Sequence, residues 1–190
     1  MNNDLQVELV GDRLEGKTVA LCVTGGIAAV ESVKLIRALR REGANVHVYA
    51  TAEALKFIGK AALEWAAARS IVTELSGLAE HICTEDLILV APATINTVNA
   101  ISAGLADNVV TTLVASALGR KTPVLIAATG HGSLWGNPIF QRHLVQLPEI
   151  APNVQFIPPK EEEGKAKLPD QPEIVEAAIE VFSDKGSSNS

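Results

Sequence analysis

Two short runs hold the side chains with the most chemistry to offer. The first is Ala91-Pro92-Ala93-Thr94-Ile95-Asn96-Thr97, which follows directly on the aliphatic Leu87-Ile88-Leu89-Val90. Pro92 fixes a turn, Thr94 brings a hydroxyl, and Asn96 brings two donors and an acceptor where the next helix begins. The second is Thr24-Gly25-Gly26-Ile27-Ala28-Ala29, which follows Val19-Ala20-Leu21-Cys22-Val23. A glycine pair between a strand and a helix lets backbone amides face a phosphate, and it serves equally well as a tight turn with nothing bound. The turn is not Gly-x-Gly-x-x-Gly, and the second strand ends in Tyr49-Ala50-Thr51 without the acidic residue that holds a dinucleotide ribose. Nicotinamide dinucleotides are therefore disfavoured, and the missing Gly-x-x-x-x-Gly-Lys-Ser/Thr excludes a P-loop hydrolase. A mononucleotide or similar phosphate ester remains, with Thr51 as a hydroxyl donor beside it.

The elements that must position these groups follow from the hydrophobic pattern. Unbroken aliphatic runs read as parallel strands covered on both faces, and ligands of such sheets sit beyond the carboxyl ends of the strands. Strands are expected at 18–23, 45–50, 87–91, 123–127 and 154–157. Helices are expected at 30–41, 52–58, 61–68, 97–103, 108–118 and 138–147. On the first of these, Lys34, Arg37, Arg40 and Arg41 read as a solvated basic face. Pro158 to Lys167, rich in proline, charge and glycine, reads as an exposed, mobile loop. A final helix over 173–182 follows an Asp170/Glu173 capping box. The expected organisation is an N-terminal arm (1–16), one α/β domain (17–183) and a disordered tail (184–190).

The whole chain has 190 residues, 47% of them hydrophobic, enough for one domain with a substantial core. With 16 Lys and Arg against 22 Asp and Glu, it lacks the basic excess that nucleic-acid binding needs, so no nucleic-acid partner is expected. Two cysteines, Cys22 and Cys83, make neither a disulfide framework nor a metal-ligand cluster, so no metal is expected and a reducing cytoplasm is the natural setting. No membrane span or signal peptide is expected either.

Taken together, residues 24–29, Thr51-Ala52-Glu53-Ala54-Leu55-Lys56-Phe57, residues 91–97 and Gly104-Leu105-Ala106-Asp107-Asn108 resemble, in order and over about residues 17–180, the homo-oligomeric flavin-containing cysteine decarboxylases. This flavoprotein family includes the phosphopantothenoylcysteine decarboxylases of coenzyme A biosynthesis, and the likeness is strongest to the archaeal type. The resemblance implies a three-layer α/β fold, a flavodoxin-like or Rossmann-like parallel sheet with helices on both faces. It implies FMN at a subunit interface and self-association as a trimer, or further into a dodecamer. Gly25, Gly26 and Ile27 would line the phosphate turn, with Thr51, Pro92, Ala93, Thr94, Thr97 and Thr129 also at the cofactor. Asn96 would contact a substrate carboxylate, and His81, in Glu80-His81-Ile82, looks like the active-site histidine. The implied reaction oxidises a cysteine side chain to a thioaldehyde that loses carbon dioxide as an enethiolate.

The sequence departs from the family in three places. His81 stands about three residues closer to Pro92 than is usual, and without a gap Leu78 would take its place. The substrate motif appears as Ala128-Thr129-Gly130-His131-Gly132-Ser133-Leu134-Trp135, with His131 as proton donor or carboxylate partner, or simply as a solvent-facing loop residue. Glycines on both sides of His131 predict a flexible loop. A late-loop cysteine is absent, while Lys165 and Lys167 are placed to neutralise a substrate phosphate. The leading expectation is thus an FMN enzyme acting on a small-molecule or peptide thiol acid. An FMN reductase, a flavin prenyltransferase-like enzyme and a non-catalytic flavin-binding or regulatory subunit are the alternatives.

Overall fold

The fold comes from a computed structural model, which describes residues 5–183. Five parallel strands form the central sheet: β1 (Thr18–Val23), β2 (Asn45–Ala50), β3 (Leu87–Thr94), β4 (Val124–Thr129) and β5 (Val154–Phe156). Their order is β2-β1-β3-β4-β5, so the direction of winding reverses between β1 and β3. The helices are α1 (Ser32–Arg41), α2 (Lys60–Ala67), α3 (Ile95–Ser102), α4 (Val109–Arg120), the single turn α5 (Gly132–Trp135), α6 (Pro138–Ile150) and α7 (Gln171–Ser183).

Strand alternation divides the core into two layers. Val19, Leu21 and Val23 of β1, with Leu87, Leu89 and Ala91 of β3, pack under α1, α2 and α7. Ala20, Cys22, Ile88 and Val90 face the other way, toward α3, α4 and α6. These three layers are the expected doubly wound architecture, and β1 and β2 have the expected bounds. The tail at 184–190 lies outside the described residues.

Several local expectations change. The helix expected over 52–58 is one 3-10 turn, Ala54–Lys56, because the segment between Thr51 and Gly59 is too short to repay helix nucleation. β3 runs on through Ala91 and Pro92 to Thr94; its ladder to β4 shifts between Val90 and Ala93, where Pro92 has no N–H to give. The Gly-Gly turn leads first into a 3-10 turn, Ile27–Glu31, and only then into α1. The basic face of α1 is not simply solvated. Arg37 stacks on Trp65 at 4.5 Å, and Arg40 donates to the carbonyls of Ala66 and Leu5. The N-terminal arm is tied down as well, since Leu14 is fully buried and Arg13 bridges Glu42 and Glu176.

The largest correction concerns the loop after β5. Residues 160–167 form an antiparallel hairpin of β6 (Lys160–Glu162) and β7 (Lys165–Lys167), turned by Glu163 and Gly164 at positive φ. It is docked on the domain by a reciprocal backbone pair, Gly130 N to Ala166 O at 2.9 Å and Ala166 N to Gly130 O at 3.1 Å. Of the Asp170/Glu173 box, the Glu173 carboxylate accepts from Asp170 N at 3.2 Å, while the Asp170 carboxylate is taken by Lys160.

Candidate active site

The ends of β1 and β3 are stitched together by Thr24, a residue only 1% exposed. Its hydroxyl donates to Pro92 O at 2.8 Å and accepts from Thr94 N at 2.9 Å. This pin fixes the Gly25-Gly26 turn relative to the start of α3. Thr94 then caps α3: its Oγ1 accepts from Thr97 N at 3.2 Å and lies 2.9 Å from the Thr97 hydroxyl. Asn96, one residue into the helix, is left exposed with its amide uncommitted among the described residues.

Between these ends opens a cavity of about 320 Å³, lined by Gly25, Gly26, Thr51, Glu53, Phe57, Thr94, Asn96, Thr97 and Asn108. It lies at the reversal point of the sheet, where ligands of doubly wound folds bind. Its size suits a small cofactor. Among the described residues, the amides of Gly25, Gly26 and Ile27 donate to no backbone or side-chain acceptor, so they are free for an anion. Gly25 cannot be larger, because a Cβ there would stand 2.6 Å from Glu53 Cβ. Gly26 has φ +153, a conformation that other residues rarely adopt. Thr51 Oγ1 accepts from Ala54 N at 3.2 Å, which leaves its proton to point into the cavity. The cradle thus fits a phosphate-bearing mononucleotide.

Of the residues expected at this site, the structure brings Gly25, Gly26, Thr51, Thr94, Asn96 and Thr97 together. Ile27 shares the turn, but its side chain is 74% exposed. Pro92 and Ala93 are buried within β3, and Thr129 is the register partner of Thr94 on β4; none of the three lines the cavity. Glu53, Phe57 and Asn108 line it without having been singled out, although the runs 51–57 and 104–108 already contained them. Asn108 is held by its own helix: its Oδ1 caps α4 through Val110 N and Thr111 N, and its Nδ2 donates to Asp107.

Two residues beyond Thr129, His131 stands exposed; its neighbour Gly132, with Trp135 and the hairpin, lines a second, open cavity of about 370 Å³ that His131 itself does not line. The flexible loop expected here is pinned. A Cβ on Gly130 would stand 2.7 Å from Ile95 Cδ1, and one on Gly132 would stand 2.7 Å from Gly164 O. These glycines permit close approach between the loop, α3 and the hairpin. Lys165 lines the second cavity, and both candidate phosphate-binding lysines already face acids: Lys167 with Glu162 and Glu163 at 3.3 and 3.2 Å, Lys165 with Glu163 at 3.8 Å.

His81 is not brought to either cavity. It sits exposed in a turn, and the residues just after it are held at the far end of the sheet, where Asp86 N meets Thr18 O at 2.9 Å at the start of β1. Both thiols are buried, and burial raises the pKa of each, so neither is a reactive thiolate.

A five-stranded parallel sheet with free turn amides at its reversal point defines a flavodoxin-like architecture whose cavity suits a phosphate ester. The chain belongs to the flavoprotein family, whose model matches residues 9–183, and the occupant of the cradle that this membership supports is a flavin. The chain is 41% identical over 174 residues to the coenzyme A biosynthesis bifunctional protein CoaBC of Thermococcus kodakarensis, covering 88% of this chain and 42% of that protein. It is 28% identical over 169 residues to the phosphopantothenoylcysteine decarboxylase HAL3a of Glycine max, covering 77% and 78%. The chain spans about two-fifths of the CoaBC proteins it matches. Among solved structures, the FMN-dependent cysteine decarboxylase SpaF superposes with a TM-score of 0.74 at 26% identity, over 87% of this chain and 99% of that one. The FMN-binding protein AtHal3, at 23% identity over 89% and 97%, shares the fold with a TM-score of 0.73.

Proposed function

We propose that this protein binds FMN in the β1/β3 cavity and catalyses the oxidative decarboxylation of a cysteine-derived thiol acid, phosphopantothenoylcysteine being the first substrate to test. The observation that carries this reading is the cavity itself: free turn amides at one end and the uncommitted Asn96 amide at the other. When bound, the flavin supplies a two-electron oxidant. Gly25, Gly26 and Ile27 hold the phosphate through their amides, and Thr51 adds a hydroxyl. Asn96 orients the substrate carboxylate, which must lie in a defined plane before the bond to carbon dioxide breaks.

His131, next to Gly132 of the second cavity, meets the substrate, and the hairpin forms one wall of that cavity. Lys165 faces a substrate phosphate there, with Lys167 two residues along β7. Their existing carboxylate partners are exposed, and such pairs are worth only about 0–1 kcal/mol, so an incoming phosphate can compete. His81 moves a proton. Because it lies away from its own chain's cavity, it serves a neighbouring subunit's site. Leu75, Leu78 and Ile82, which are 46%, 74% and 44% exposed on the same loop, supply an apolar surface for that contact. The active form is then an oligomer, and the family resemblance makes it a trimer or larger. The chain has no helix among the described residues long and apolar enough to cross a membrane.

The test begins with incubation in FMN, removal of free ligand and an absorption spectrum. Bands near about 370 and 450 nm at about one flavin per chain are expected, followed by release of carbon dioxide from phosphopantothenoylcysteine. No retained flavin would overturn the assignment.

A further inference from the structure

Glu85 touches neither cavity, yet it is the one buried acidic or basic residue among those described, and its side chain is only 1% exposed. A carboxylate in such a place persists only if its lone pairs are satisfied. They are satisfied from two directions. Tyr49 Oη and His47 Nδ1 both approach Glu85 Oε1 at 2.9 Å, and Thr84 N donates to Oε2 at 2.9 Å. Burial is the largest influence and pushes the carboxyl up, but these hydrogen bonds together hold it below its usual range.

His47 and Tyr49 alternate on β2, so both face the α4 side of the sheet. His47 must carry its proton on Nδ1 to donate to Glu85, and its Nε2 then accepts from Asn45 Nδ2 at 3.3 Å. Asn45 Oδ1 in turn accepts from Arg69 at 2.9 Å. Every member of this row is oriented by the next.

The row ends on the segment that carries His81. From Thr73 to Ile82 the chain has no helix or strand, and its amides make only local contacts, such as Ile82 N to Ala79 O. Immediately afterwards it is fastened three times within four residues: Cys83 N to Ser116 Oγ of α4, Glu85 to β2, and Asp86 reciprocally to Thr18 of β1. Glu85 is the fastening that reaches the edge strand, and it does so four residues from His81.

We propose that Glu85, held by His47 and Tyr49, is a positioning residue for His81: it clamps the base of the 73–82 loop to β2 and so fixes where the imidazole stands. This rests on the reading of His81 as a proton-transfer group. Glu85 itself touches no substrate and acts only through the loop.

The test uses the FMN-loaded full chain with E85Q, Y49F, H81N and the double variant H81N/E85Q. Amide exchange at the base of the loop, where Cys83 N, Thr84 N and Asp86 N are hydrogen-bonded, should quicken by about tenfold in E85Q, while the amides of β1 and β3 and the flavin content stay unchanged. The kcat for decarboxylation should fall about tenfold in E85Q and about threefold in Y49F, with KM within about twofold of wild type. The double variant should be no slower than H81N, because a residue that acts only through His81 has nothing left to position. Unchanged exchange at Cys83, Thr84 and Asp86, or losses that multiply in the double variant, would overturn the proposal while leaving His81 in its role. Wild-type turnover by H81N would overturn the reading of His81 and the positioning role with it. If E85Q does not fold, Y49F with H81N/Y49F makes the same comparison.

Discussion

Replacing Gly25 by alanine adds one methyl group at the narrowest point of the cavity. The new Cβ would stand 2.6 Å from Glu53 Cβ and 3.1 Å from the Glu53 carbonyl carbon, so the obstacle is partly backbone and cannot swing aside. Restoring ordinary contact requires the two turns to part by about 1 Å, a gap that already forfeits a quarter to a half of the local dispersion energy. Overpacking of this kind costs roughly 1–3 kcal/mol. Both turns are walls of the flavin cavity, so the strain falls on ligand geometry as well as on the fold. Expressed wholly in binding, it corresponds to about 5- to 150-fold in Kd, at about 1.4 kcal/mol per decade. We expect FMN affinity, measured by quenching of flavin fluorescence on titration, to weaken by at least about fivefold in G25A. The matched control is Gly119→Ala on α4, where an added Cβ meets nothing within 4 Å. That change should leave FMN affinity alone and raise stability by about 0.5–1 kcal/mol. An FMN affinity in G25A within about twofold of wild type would refute the placement of the phosphate cradle.

Four further outcomes are expected. Asn96→Asp should abolish turnover while leaving the bound flavin spectrum nearly unchanged, since Asn96 makes no described contact that supports the fold; unaffected turnover would sink its role. Thr24→Val removes two buried hydrogen bonds between β1 and β3 and should cost about 2 kcal/mol, seen as a fall in Tm of about 4–8 °C; a smaller loss would mean that water replaces the hydroxyl. Gly132→Ala drives a Cβ to 2.7 Å from Gly164 O and should lift the hairpin, changing Trp135 emission and raising KM with FMN affinity intact; an unchanged KM would remove the hairpin from the substrate site. Glu85 has its carboxyl pKa depressed in the folded state, so its stabilisation is complete above the ordinary value of about 4.3 and is lost as pH falls through the lower folded value. Acid unfolding curves should therefore be steeper below about pH 4 in wild type than in E85Q, and parallel curves would contradict the assignment.

What could be read from the sequence, and what could not, divides along the range of the interactions involved. β1 was legible to the residue because a strand buried on both faces writes its environment into every position, and β2, an edge strand, because Val46, Val48 and Ala50 keep one buried face at a period of two. The flavin cavity was half legible for the same reason: Gly25, Gly26, Thr94 and Asn96 follow strands, and the strand ends of this sheet converge on one crevice. The hairpin at 160–167 was not legible. Its charged residues do face solvent, but the contact that orders it joins Ala166 to Gly130, thirty-six residues away. A local pattern contains nothing of that pairing. The glycines around His131 misled in the same way: a missing Cβ signals freedom in isolation and close packing once a neighbour occupies the space, as Ile95 and Gly164 do here. Glu85 gave no signal, since an acidic residue before a strand looks like any solvated charge until Tyr49 and His47 close over it.

On the proposed function, these long-range contacts also combine a rigid cofactor cradle with the segments that meet a substrate. The cradle is built from backbone amides and from a hydroxyl pin, Thr24, that is buried and fully bonded, so its geometry is set by the sheet and costs little to maintain. His131 and His81 instead stand on segments outside the sheet, one fastened through the Gly130–Ala166 bridge and the other through Glu85. Each histidine is exposed, and each is anchored by groups that do not line the β1/β3 cavity. Such an arrangement lets the residues around His131 depart from the family motif without disturbing the Gly25-Gly26 turn. On the proposed function, discrimination among thiol acids falls to the two anchored segments, while the β1/β3 cavity stays constant.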